Sequence, residues 1–215
     1  MLGNSGEVIA FTEMLESLKL FLTVMLGSGA SIAIAKLIFD IRREKRDRSD
    51  AVKYLAIQLA FQFEGFTIDC ASGASDHRTA IEHEGHAGAY LGNVPTPPAL
   101  PSSDAYRFLD ADVLNRVFGF AQLCKMAQLA AGFWVDVVGD NECYQVAVEE
   151  GAISMGSEAL EIARAVRVKY SLGSRALEFG KWNIDDFIRK ETAKLTKRIE
   201  RRDKMEREVD ARKSK

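Results

Sequence analysis

The hydrophobic pattern is dominated by one uninterrupted apolar stretch near the start of the chain, residues 20–39, which reads LFLTVMLGSGASIAIAKLIF. Twenty residues of helix rise about 30 Å, the thickness of the hydrocarbon core of a bilayer. The one charged residue, Lys36, lies about one turn from the end, where its side chain can reach the lipid–water interface. The pattern therefore predicts a transmembrane helix over residues 18–41, preceded by a short extracytoplasmic N-terminus over 1–17.

A basic collar over residues 42–50 follows the apolar stretch, whereas the N-terminal flank carries only Lys19. Basic residues near a span mark its cytoplasmic side. The basic residues predicted at the membrane interface are Lys36, Arg42, Arg43, Lys45, Arg46 and Arg48. The sequence thus predicts a single-pass protein of the inner or plasma membrane, with its N-terminus outside and its C-terminal domain in the cytoplasm. A signal peptide cleaved after Ala35 and a buried soluble helix remain as alternatives.

Small residues recur at intervals of four within the span, at Gly27, Ser31 and Ala35. This spacing lets two membrane helices approach closely. The sequence therefore raises the hypothesis of a homo-oligomer formed through the transmembrane helix.

After the collar, the apolar positions recur at helical intervals, and they predict a helical domain over residues 51–200. Its first helix, 51–71, has a stripe of large apolar residues with further apolar residues beside it, which predicts a central place in a bundle. The stripe consists of Leu55, Leu59, Phe63 and Phe66, and the residues beside it are Ile57, Phe61 and Ile68. This helix either continues the membrane helix or starts afresh with Ser49 or Asp50 as its cap.

Three more helices are predicted, from Asp110 or Asp112 to about Val138, from 142 to 170, and from Asn183 onward. The positions predicted to face inward on the first of these are Val113, Leu114, Val117, Phe118, Ala121, Cys124, Ala127, Phe133 and Trp134. The last helix is highly charged and leads into a tail, 201–215, that is either helical or frayed. No strand is predicted, so the fold class is all-α: one transmembrane helix followed by a cytoplasmic bundle of about four helices with a charged C-terminal helix.

A long connection is predicted over residues 72–103, because glycines and a proline-rich run interrupt the helical pattern there. All three histidines of the chain, His77, His83 and His86, fall in this stretch. If residues 76–90 were helical, Asp76, His83 and His86 would share one face. Together with His77 they form the candidate ligand set for a divalent metal such as zinc, although the spacing matches no established metal motif. The alternative is a solvated, pH-sensitive loop.

Two carboxylates, Glu64 and Asp69, lie within the apolar first helix. A carboxylate among aromatic side chains is costly unless it is paired. We therefore predict buried carboxylates at both positions, which serve either as a general acid–base pair or, preferably, in ion pairs with a base such as Arg116.

Composition narrows the function classes. The formal net charge is −2, which argues against nucleic acid as a partner of the whole chain. Residues 189–215 are strongly basic, with twelve Lys or Arg against six acidic residues. Three widely spaced cysteines indicate a reducing compartment rather than a disulfide framework.

The sequence favours an interaction or scaffold protein over an enzyme, since it contains no established catalytic motif. Its anchor would hold a helical surface at the membrane, where an unidentified protein partner could bind it. One alternative is a metal-dependent enzyme that uses the histidine and acid cluster at 76–86. The other is a membrane tether whose basic tail binds nucleic acid or anionic lipid.

Overall fold

The structure is a computed structural model that describes residues 14–21, 23 and 29–213. The chain divides into two units, residues 1–50 and 51–215. Across the described residues the protein is helical except for irregular connections and one two-stranded hairpin. The predicted all-α bundle is therefore confirmed.

The first long helix, α1, runs without a break from Gly29 to Glu82. Of the two alternatives for the collar, the continuous helix is the one observed, and it carries the i,i+4 ion pairs Arg43–Asp47 and Arg48–Glu44. The predicted loop 72–103 begins too early, because the helix continues through Gly73 to Glu82. A Cβ at position 73 would lie 2.9 Å from Leu91 Cδ2, so this glycine makes room for the returning chain.

The second helix, α2, extends from Ala111 to Phe133 and continues as a π-helical turn, Trp134–Val138. Asp110 caps it by accepting a hydrogen bond from the backbone N–H of Asp112 at 3.0 Å. Gly139 ends the turn with φ 77°, a conformation that glycine adopts without strain. The predicted bounds of this helix are confirmed. A short 3₁₀ helix, Asp104–Phe108, precedes it.

The third helix, α3, spans Asn141–Lys169. The helix begins one residue before the predicted start at 142, and Asp140 caps it by accepting a hydrogen bond from Cys143 N at 2.8 Å. A hairpin of β1 (Glu178–Phe179) and β2 (Trp182–Asn183) follows. The prediction of no strand is wrong here, because two-residue strands are too short to show an alternating pattern.

The last helix, α4, spans Ile184–Lys213. Asn183 caps it by accepting a hydrogen bond from Asp186 N at 2.8 Å, as the sequence predicts. Helix therefore continues into the tail 201–215 as far as Lys213.

The main core lies among α1, α2 and α3. Phe120 of α2 lies edge-on to both Phe63 and Phe66 of α1, with ring centroids 5.1 Å apart in each pair. The whole predicted stripe of the first helix is buried, namely Leu55, Leu59, Phe63 and Phe66. The residues beside this stripe, which the sequence analysis used to predict a central place in the bundle, are instead exposed, namely Ile57, Phe61 and Ile68.

Close approach of α3 to α1 depends on Gly156. A Cβ at this position would lie 2.8 Å from the Cβ of Cys70. The hydroxyl of Thr67 donates to the Gly156 carbonyl oxygen at 3.1 Å and ties the two helices together. A glycine that weakens the helix by about 1 kcal/mol is thus retained where contact between helices requires it.

The predicted inward face of α2 is partly wrong. Phe118, Ala121 and Phe133 are exposed, whereas Phe120 is buried. The residues of α2 that reach the core are Val113, Val117, Phe120, Cys124 and Ala131. The stretch is apolar on nearly all sides, so its pattern could not fix which side faces inward.

No helix within the described residues combines the length and the apolar character needed to cross a membrane. Residues 22 and 24–28 of the predicted span lie outside the described residues. In the part of that span with described side chains, Ile32, Leu37 and Phe39 are 74%, 60% and 64% exposed.

Candidate functional site

The three histidines do not share one environment. His77 lies in α1 and is fully buried, whereas Asp76, His83 and His86 are exposed. The Nδ1 atom of His77 accepts a hydrogen bond from Leu91 N at 3.1 Å. Its proton is therefore on Nε2 when the ring is neutral. Burial lowers the pKa of His77, with opposition from the nearby Glu149 carboxylate.

The predicted metal site is not assembled in the part of the chain that the structure describes. No group of three His, Cys, Asp or Glu side chains there could hold a metal ion. Neighbouring positions on a helix point in different directions, so Asp76 lies outside while His77 lies inside. His77 instead binds the backbone of the connection that returns from α1.

That connection packs against the bundle, in contrast to the solvated loop considered from the sequence. Val94 is buried, and its N–H donates to Gln128 Oε1 at 2.8 Å. The hydroxyl of Tyr144 donates to the Gly92 carbonyl oxygen at 2.6 Å. Two helices therefore hold the connection by polar contacts.

Glu64 is buried as predicted and forms the innermost ion pair of the domain. Its carboxylate accepts hydrogen bonds from Nε and Nη2 of Arg167, the latter at 3.1 Å. Arg175 Nη1 adds a third contact at 3.3 Å. The predicted partner, Arg116, binds Glu158 instead at 2.9 Å. Removal of one member alone would leave an uncompensated buried charge and cost about 3–5 kcal/mol.

Asp69 is exposed, so its predicted burial is wrong. It follows Ile68 on the outward side of α1. Glu64 therefore has no second carboxylate from this helix beside it, and the proposed acid–base pair of Glu64 and Asp69 is not formed. The predicted interface residues are all exposed on α1, namely Lys36, Arg42, Arg43, Lys45, Arg46 and Arg48.

A second buried ionic cluster was not predicted. Arg78 of α1 donates from Nε to Glu149 of α3 at 2.6 Å and lies 2.6 Å, through Nη2, from Glu191 of α4. Both carboxylates are buried, and the contact with Arg78 lowers the pKa of Glu191. The three residues are far apart in sequence and no local motif joins them, so only the tertiary structure reveals the cluster.

The cysteine thiols lie in environments that suppress the reactive thiolate. Burial raises the pKa of Cys70, and burial raises the pKa of Cys124 to about 11. The hydrogen bond with Asp140 raises the pKa of Cys143. Since the thiolate is the nucleophile, none of the three has the lowered pKa of a catalytic cysteine.

A groove of about 630 Å³ lies between α2, α3 and α4. Alanines and branched apolar residues line part of its walls, including Ala127, Ala131 and Val146, and Ile199 lines the side contributed by α4. Cys143 is its one thiol. Charged residues line it as well, namely Glu142, Glu150, Arg202 and Glu206.

The side of α2 that faces away from the core is rich in large apolar residues. We define the outer face of α2 as the exposed residues Phe118, Leu123, Met126, Leu129 and Phe133. Their exposed fractions range from 40% for Leu123 to 64% for Met126. Single apolar residues on a surface are normal, whereas a contiguous set of large ones marks an interaction surface. The outer face of α2 is therefore the candidate functional site.

The helix α4 exposes a surface of opposite character. We define the basic face of α4 as five exposed residues spaced alternately by four and three, namely Lys190, Lys194, Lys197, Arg201 and Lys204. This spacing places them along one side of the helix. Lys194 contacts Glu191 at 2.9 Å. The neighbouring Arg198 and Arg202 contact Glu150 at 3.5 and 3.4 Å.

No protein-family model matches the chain, and no curated protein or solved structure matches it.

Proposed function

We propose that the protein is a membrane-anchored interaction module that presents the outer face of α2 to a protein partner. The observation that carries the proposal is the contiguous exposure of five large apolar side chains on a helix whose other side is fully packed. Burying such side chains gains about 25 cal/mol per Å² of apolar surface removed from water. A partner that covers this face would recover free energy that the domain alone leaves unused.

The membrane anchor is supported by the sequence of residues 20–39, with one charge in twenty residues and a basic collar behind it. The exposure of Ile32, Leu37 and Phe39 agrees with it, since apolar side chains on several sides of one helix suit a lipid environment. In this proposal residues 42–215 lie in the cytoplasm. Confinement to the membrane raises the effective concentration of the outer face of α2 for a partner held in the same membrane.

Site-specific photo-crosslinking in cells tests the proposal. A photoreactive phenylalanine analogue at Leu129 should give a discrete adduct in the membrane fraction. The same analogue at Thr196, an exposed position on α4, should give none. The substitutions I34D and I38D should release the chain from carbonate-washed membranes. A soluble wild-type chain, or equal adducts at both positions, would contradict the proposal.

The basic face of α4 favours a second function, attachment of the domain to anionic lipid. Each basic residue near an anionic surface contributes about 1 kcal/mol. Vesicles with anionic lipid should protect α4 of the reconstituted chain from trypsin, and high salt should abolish the protection. Protection by duplex DNA instead of lipid would favour the nucleic-acid tether.

A further inference from the structure

We propose that the partner of the outer face of α2 is a second copy of this chain. The two α2 helices would pack antiparallel, with Lys125 of each copy next to Asp136 of the other. The inference rests on the proposed function only in that the face binds a protein. It adds the identity of that protein and the orientation of the contact.

The spacing of the exposed residues suits packing of helix against helix. Phe118, Gln122, Met126, Leu129 and Phe133 follow one another at intervals of four, four, three and four. Residues three or four apart are neighbours on a helix surface, so these side chains lie as a seam along one side of α2. A seam of this kind fits another helix with a similar seam, and α2 of a second copy has one by identity.

The charges on this side of the domain decide the orientation. Between Val113 and Val138 the only charged residues are Arg116, Lys125 and Asp136. Arg116 is engaged with Glu158 at 2.9 Å. Lys125 and Asp136 are both exposed, and within the described residues neither forms an ion pair. One positive and one negative charge therefore remain available to a partner.

These two charges cannot satisfy each other within one chain. Eleven residues of helix separate them by about 16 Å, well beyond the 4 Å of an ion pair. In a parallel pair of α2 helices Lys125 would lie beside Lys125, and Asp136 beside Asp136. In an antiparallel pair each lysine meets an aspartate, and the two-fold symmetry makes that contact twice. Charge complementarity thus favours the antiparallel arrangement.

The same charges argue against a lipid surface as the occupant. Helices that lie in a membrane interface surround their apolar side with lysine and arginine. Here the apolar side is flanked by one base and one acid, and anionic head groups would repel Asp136. A second copy satisfies both residues.

Charge reversal in the full chain tests the proposal. Two pools of the chain, labelled with donor and acceptor dyes at T196C in a C143S background, are reconstituted together in neutral liposomes. Energy transfer is then measured as the protein-to-lipid ratio is varied. We expect K125E alone and D136K alone each to raise the apparent dissociation constant about tenfold, since each creates two contacts of like charge. The double variant K125E/D136K should restore the parental value.

Rescue by the double variant can arise only between copies, because the two positions are too far apart within one. The variant K181E, a reversal at an exposed turn, is the matched control and should leave association unchanged. Both tested residues are exposed, and an unchanged circular dichroism spectrum of each variant confirms folding. Association that persists equally in all variants, or single variants that are not rescued, would overturn the proposal.

The outcome of this test is separable from that of the proposed function. If the crosslinker at Leu129 gives an adduct whose mass is not twice that of the chain, and charge reversal has no effect, the second copy is excluded. The interaction module would then stand with a different partner. If Leu129 gives no adduct and charge reversal has no effect, both proposals fail.

Discussion

The two sides of α2 are almost equally apolar in sequence, yet their surroundings are opposite. On the inner side Phe120 is 1% exposed and packs between two phenylalanines of α1. On the outer side Phe118, two residues earlier, is 51% exposed. Apolar character alone therefore does not define the core of this protein. What defines it is which side of the helix finds a complementary neighbour within the same chain.

Truncation of one phenylalanine on each side gives the largest expected difference. The substitution F120A should lower the free energy of unfolding by about 3–5 kcal/mol, because it leaves a cavity among aromatic rings. The substitution F118A should cost less, about 1 kcal/mol, because the ring is 51% exposed and its contact with another aromatic ring is with Tyr106, at 5.3 Å between centroids. Urea unfolding of the full chain in mild detergent, followed by tryptophan fluorescence at high dilution, measures both. Equal costs would show that the outer side is buried in the monomer.

Substitution of glycine by alanine at a packed and at an open position should give a smaller difference in the free energy of unfolding. The substitution G156A should destabilise the fold by about 1–3 kcal/mol, because its Cβ would lie 2.8 Å from the Cβ of Cys70. The substitution G119A, on α2, should stabilise the fold by about 0.5–1 kcal/mol, since nothing lies within 4 Å of the added Cβ. The same unfolding experiment distinguishes them. A stabilising G156A would contradict the close approach of α3 to α1.

The smallest expected effect is on the pH dependence of the free energy of unfolding, and it compares the buried His77 with the exposed His83. Burial holds the pKa of His77 below its usual 6.5, so the unfolded chain takes up a proton that the folded chain does not. The free energy of unfolding should therefore fall as the pH drops below about 6.5, until the folded pKa is reached.

Two variants isolate this contribution. The variant H77Q should lose that part of the pH dependence between pH 7 and 5. The matched variant H83Q, at an exposed position, should keep it. Unfolding midpoints measured across this pH range check the prediction, and identical slopes in the wild type and H77Q would refute it.

The sequence predicted helices and their ends well because both depend on local chemistry. Asp110 and Asn183 cap their helices as predicted, since each side chain reaches a backbone N–H only two or three residues away. The prediction failed at Gly73, which was taken to interrupt the helix. This glycine instead makes room for Leu91, and that contact exists only after the chain has folded back onto α1.

The surroundings of the candidate site residues named from the sequence were predicted less well. Burial of Glu64 followed from its aromatic neighbours, but its partner, Arg167, is 103 residues away, and the sequence suggested Arg116 instead. The histidines are close in sequence and were grouped for that reason. In the fold His77 points inward from α1, whereas His83 and His86 follow the end of that helix at Glu82 and are exposed, so the three rings do not share one face.

By itself the sequence determined that the chain is all-α, where its helices are capped, and that one long apolar stretch with a basic collar precedes the domain. Only the tertiary structure decided which side of α2 enters the core, which arginine neutralises Glu64, and what His77 binds. The physical reason is the separation along the chain over which each interaction acts. Capping and helical periodicity act over a few residues, whereas packing and charge pairing join residues whose proximity exists only after the helices have assembled.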